Sequence, residues 1–171
     1  MTANPFLACA RTHRLTGPGV DARCVFGKGG VRAAADKREG DGASPIGVWR
    51  FREVFYRADR LNTPNTALPM RAIRADMGWC DASDDPHYNQ LITKPFASSH
   101  EDMMREDGLY DLVVPLGYND DPAVPGLGSA IFLHCWRTPT TPTRGCVAIE
   151  RDALIALVAL IKPGDNLEIQ P

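Results

Sequence analysis

The sequence predicts a mainly β fold carrying one or two short helices, and three observations predict it. Apolar stretches are of strand length, and most are bounded by Gly or Pro. Fourteen prolines and fifteen glycines among 171 residues demand many turns, hence many short elements. Residues 151–161 (RDALIALVALI) read as an amphipathic helix, and the KPG that follows is a stop signal.

Taken in order, residues 6–15 and 22–26 read as short strands around the turn TGPG. GKGGVRAAADKREGDGASPIG, rich in Gly and charge, reads as an exposed loop; if it lines a cleft, Lys37 and Asp41 are its best ligand contacts. In VWRFREVFY, Trp49, Phe51, Glu53 and Phe55 nearly make one face of a half-buried strand. Residues 68–75 are a weaker strand candidate. Residues 77–110 are polar, dotted with aromatics and irregular. A short helix is expected there at 99–106, where Ser99 followed by Glu101 and Asp102 offers a cap and early acids. YDLVVPLGYN, SAIFLHCW and VAI (147–149) read as strands, and NLEIQP closes as a last one. A chain of this length is expected to form one domain, residues 1–171, around one core.

A 44% hydrophobic and 23% charged composition is that of a globular protein. The net charge of -2 excludes the basic excess usual in nucleic-acid binding. No stretch approaches the ~20 apolar residues that span a bilayer. MTANPFLACARTHRL has no basic start, and FLACA is too short for the apolar centre of a secretory leader. The cysteines, Cys9, Cys24, Cys80, Cys135 and Cys146, are odd in number and scattered, a pattern of free thiols rather than a disulfide framework.

The segment SAIFLHCWRTPTTPTRGCVAIER places His134 at the end of one apolar run and Cys146 at the start of another. A cysteine attacks carbonyls at neutral pH when a nearby imidazole takes its proton. Neighbouring strands would bring the two together at one rim of a sheet. Gly145 lets a carbonyl approach the backbone, where amide N–H groups can stabilise an oxyanion. On spacing alone, buried structural roles for both residues stand beside the catalytic one.

His134, a short spacer and Thr143-Arg144-Gly145-Cys146-Val147 resemble the active-site signature of the L,D-transpeptidase catalytic domain (YkuD-like) family. In that family a histidine precedes Ser/Thr-His-Gly-Cys and an apolar residue. Ser44-Pro45-Ile46-Gly47 is similar to the family's Thr-Pro-x-Gly stretch, and the apolar C-terminal helix followed by PGDNLEI also fits. The matches run in order over residues 40–169. The resemblance implies a β-sandwich or partly open barrel and acyl transfer on the peptide stems of peptidoglycan. Cys146 would form a thioester with the carbonyl of an L-centre beside a D-residue, and an amine or water would release it. His134 would be the base, and the amides of Arg144, Gly145 and Cys146 the oxyanion donors. No metal or other cofactor is implied, and the cell envelope or periplasm is the expected compartment. Nothing in the sequence sets an oligomeric state.

Two positions differ from the family pattern. Arg144 replaces the usual histidine before Gly, and Ala148 stands where an arginine is often found; both bear on substrate recognition. Arg144, through its forked donors, suits a carboxylate. Thr143, Tyr118, Asn119 and Trp136 complete the candidate substrate contacts, although Tyr118-Asn119 also suits an Asx-type turn and Trp136 a core position. GWCDASDDPHYN matches no zinc-ligand spacing and reads as an acidic turn. His100 is most simply a first-turn helix residue. Cys135 should point away from His134 by strand alternation. Two alternatives remain beside the transferase: a carboxypeptidase or amidase giving the acyl group to water, and a non-catalytic module binding peptidoglycan fragments. A cytosolic role on recycled or foreign muropeptides would suit the missing leader.

Overall fold

The computed structural model describes residues 6–171. Strands β1 (Phe6–Cys9), β2 (Arg14–Gly17) and β3 (Val20–Val25) form an antiparallel meander, and the TGPG turn joins the last two. β4 (Val31–Ala33) runs parallel to β5 (Ser44–Arg50). The stretch VWRFREVFY is not one strand. β5 ends at Arg50, and β6 (Val54–Tyr56) pairs elsewhere in the sheet, because the buried Phe51 turns the chain across and packs edge-on against Phe6 at 5.7 Å.

β7 (Met70–Ala72) adds an outer strand beside β6. β8 (Met77–Cys80), β9 (Leu91–Thr93) and β10 (His100–Asp102) form a separate three-stranded sheet in the order β10-β8-β9. The segment read as irregular is therefore ordered. The helix expected at 99–106 is instead β10, with Glu101 opposite Trp79. One or two turns of helix cannot stand alone, whereas an edge strand finds a template in β8.

β11 (Leu112–Pro115), β12 (Phe132–Cys135) and β13 (Val147–Ile149) follow, then α1 (Arg151–Val158) and β14 (Asn166–Gln170). The large sheet runs β4-β5-β14-β1-β2-β3-β13-β12-β11-β6-β7. The fold is mainly β, with α1 the single helix among the described residues. Leu154, Leu157 and Val158, at helical spacing, bury one face of α1 against the sheet. Leu133, Cys135, Val147 and Ile149 point to that side. Phe132, Cys146 and Val113 point to the other, where they join Phe55, Met77 and Met103 with Trp79 packed against them. Central strands are thus apolar on both faces, as their uninterrupted runs require. No helix is long and apolar enough to cross a membrane among the described residues.

Candidate active site

β12 and β13 are adjacent and parallel, with Leu133 opposite Val147 and His134 opposite Ala148. Cys146, one residue before β13, therefore lies level with Phe132. It shares a face with His134, two positions further along the ladder. Both side chains open into a cavity of about 880 Å³, whose lining includes Lys37, Glu101, Tyr110 and Trp136.

His134 is 5% exposed, and its Nδ1–H donates to the Cys135 carbonyl at 2.7 Å. A carbonyl only accepts, so Nδ1 carries the proton and Nε2 holds the lone pair. The Tyr110 ring stacks edge-on at 5.4 Å. Burial drives the imidazole pKa down to about 4, so the ring is neutral at pH 7. The Cys146 thiol donates to the Ala130 carbonyl at 3.2 Å and accepts the Phe132 N–H at 3.3 Å. Burial pushes its pKa up to about 12; nearby Glu101 adds to this, while the Phe132 N–H and Lys37 oppose it. The resting pair is a thiol and a neutral imidazole, with no ion pair between them.

The loop before the nucleophile is fastened at several points. Thr143 N–H donates to Phe26 O at 2.9 Å, and Lys28 N–H to Thr143 O at 2.8 Å. The Thr143 hydroxyl accepts the Gly145 N–H at 3.1 Å and donates to Cys146 O at 2.6 Å. The Gly145 amide is thereby committed inside the loop rather than turned to a ligand. Ser44 Oγ donates to the same Cys146 carbonyl at 3.2 Å and accepts the Gly27 N–H at 3.0 Å. Ser44 of the Ser-Pro-Ile-Gly stretch thus supports the nucleophile loop directly. Gly145 has φ +141°, where a side chain would be strained, and a Cβ there would stand tightly, 3.1 Å from Ala43 O.

Among the expected substrate contacts, Trp136 is half-buried on the cavity wall and Arg144 is exposed at its rim. Thr143 also borders the cavity, with its hydroxyl spent on the loop. Tyr118 and Asn119 lie outside the cavity lining. The Tyr118 hydroxyl donates to Leu127 O at 2.6 Å, and its buried ring meets Trp49 at 5.0 Å. Asn119, at φ +48°, accepts the Val124 N–H and donates to the Val124 and Gly128 carbonyls. It closes a turn, as its residue type favours.

Several lining residues were not singled out by the sequence. The charged Gly-rich loop is not simply exposed: Lys37, expected as a contact if this loop lined a cleft, does line the cavity and is 3% exposed. Its ammonium lies 2.7 Å from Asp41, which is not in the lining. Glu39 accepts from the Tyr88 hydroxyl and, at 2.7 Å, from the Ser129 hydroxyl, fastening this loop beside the cavity it lines. Elsewhere in the lining, Tyr110 donates to Glu101 at 2.8 Å, and the Arg105 guanidinium lies 5.1 Å from the Tyr110 ring. Burial, with Glu101 beside it, holds the Tyr110 phenol well above its usual pKa; burial likewise raises that of Glu101. His100 also borders the cavity, its Nδ1 at 2.8 Å from Ser98 O. Cys135 faces the helix side, its thiol 3.6 Å from Leu112 O. In the acidic turn, Asp85 is occupied by His87 and Ser98. The signal for the missed residues was diffuse: charge and aromatics scattered over segments that meet only in the fold.

The family model described as L,D-transpeptidase catalytic domain (YkuD) matches residues 11–169. The crystal structure of Mycobacterium tuberculosis L,D-transpeptidase 1 is similar at a TM-score of 0.44 and 12% identity. That likeness covers 99% of this chain and 62% of that one, so this chain spans less than two thirds of its length. No curated protein sequence matches. Because the family model runs over most of the chain, this protein belongs to the L,D-transpeptidase catalytic domain family.

Proposed function

We propose that this chain is a cysteine acyltransferase acting on the peptide stems of peptidoglycan, with Cys146 as nucleophile and His134 as general base. One observation carries the reading: both residues share a face of adjacent parallel strands at one cavity, with His134 Nδ1 fixed by the Cys135 carbonyl. That bond leaves Nε2 as the basic atom. Since thiol and imidazole both rest neutral, proton transfer accompanies attack.

Cys146 Sγ bonds to the scissile carbonyl carbon as its proton passes to His134 Nε2. The carbonyl π electrons move to oxygen, and the loop amides of Arg144 and Cys146 are assigned to meet that charge, Gly145 being committed to Thr143. Collapse expels the amine, which takes the proton from His134 and leaves a thioester. An acceptor amine then attacks and gives its proton to His134; collapse breaks the C–S bond, and the Cys146 sulfur takes that proton back from His134. Water in place of the amine would make the same machinery a hydrolase, and product analysis with and without added amine separates the two. Trp136 and Arg144 are the contacts the geometry favours for the stem. The reading places the enzyme at the cell envelope.

The test is intact-mass spectrometry with a carbapenem, a drug class that acylates the cysteine of this family. A single adduct on the wild type, absent from Cys146→Ala, is expected. An adduct that persists in Cys146→Ala would mean another residue is the nucleophile.

A further inference from the structure

Asn89 lies in the turn between β8 and β9, 6% exposed and at φ +59°. Its amide uses its full hydrogen-bonding capacity inside the protein. Oδ1 accepts the Trp79 indole N–H and the Ala130 N–H, each at 3.0 Å. Nδ2 donates to Tyr118 O at 3.1 Å and Asn119 O at 2.7 Å. Two obligate donors and two obligate acceptors fix which way the amide points. The side chain therefore ties the small sheet to the chain segment leading into β12.

Ala130 is the consequential partner. It carries a Cβ yet sits at φ +52°, a conformation that persists only where the surroundings impose it. The imposed geometry turns its carbonyl onto the Cys146 thiol at 3.2 Å. We propose that Asn89 is a positioning residue for the nucleophile: it holds Ala130 in this conformation, so that the Ala130 carbonyl keeps the Cys146 proton until a substrate displaces it. The inference rests on Cys146 being the nucleophile, as proposed above. A thiol bonded to a carbonyl is held in its protonated form. Releasing Ala130 frees Sγ to ionise on the remaining Phe132 N–H, which favours the thiolate.

The test measures iodoacetamide alkylation of the full chain at pH 8, site by site, through peptide mass mapping. Asn89→Gly removes the amide while leaving a backbone that accepts φ +59° without strain. Cys146 is then expected to react about three- to tenfold faster, the loss of roughly one hydrogen bond to the thiol. Cys24 and Cys135, buried toward the helix side, should stay as slow as in the wild type. An unchanged Cys146 rate in a folded variant would overturn the proposal. So would acceleration shared by Cys24 and Cys135, since that is general loosening. If Asn89→Gly does not fold, Asn89→Asp decides, because it keeps an acceptor for the Ala130 N–H. Alkylation no faster than wild type is then expected, and faster alkylation overturns the idea. No stem peptide enters the assay, so failure of acyl transfer to stems is read separately.

Discussion

His134 shows how one buried side chain links chemistry to stability. Its folded pKa near 4 lies below the ordinary 6.5, so the unfolded chain binds more protons between those values. Its contribution is complete above pH 6.5 and is lost as pH falls toward 4, an effect of about 3 kcal/mol. Urea midpoints across this window should drop for the wild type, and His134→Gln should remove that part of the slope. An identical pH dependence in both proteins would show that His134 is not held neutral. Cys146 and His134 were legible in the sequence because eleven intervening positions and a short motif carry them. Glu39, Glu101 and Tyr110 were not, because they reach the cavity from segments distant in sequence from that motif.

At the scale of elements, the three-stranded sheet explains both a misreading and a dependence. Ser99, Glu101 and Asp102 give a local helix signal, yet pairing with β8 wins because β8 presents an open row of backbone groups. Strand propensity of this kind is set by the neighbour and is invisible in a short window. This sheet covers the nucleophile face through Trp79, which meets Phe132 edge-on at 5.0 Å, while Tyr110 meets the same ring at 5.8 Å. Phe132→Ala should therefore cost about 3–5 kcal/mol, measured by chemical denaturation. A loss under about 1 kcal/mol would mean that the layer packs independently of that ring. β11, β12, β13 and α1, in contrast, followed from apolar runs and helical spacing, because tertiary burial and local pattern agree there.

Across the whole molecule, the two cores are opposite faces of the same central strands, β11, β12 and β13. We propose that the described residues form one cooperative domain. Far-UV circular dichroism and tryptophan fluorescence should then give coincident unfolding curves, and separated midpoints would reveal two units. A mainly β architecture was readable from turn density and strand-length runs, whereas the sheet order was not. That order joins β14, the last strand of the described residues, to both β1, the first of them, and β5. During translation the gap between β1 and β5 must therefore stay open until residues 166–170 leave the ribosome, and two bare strand edges wait there for a partner. Until that strand arrives, the nascent chain is most exposed to pairing with a neighbour of its own kind.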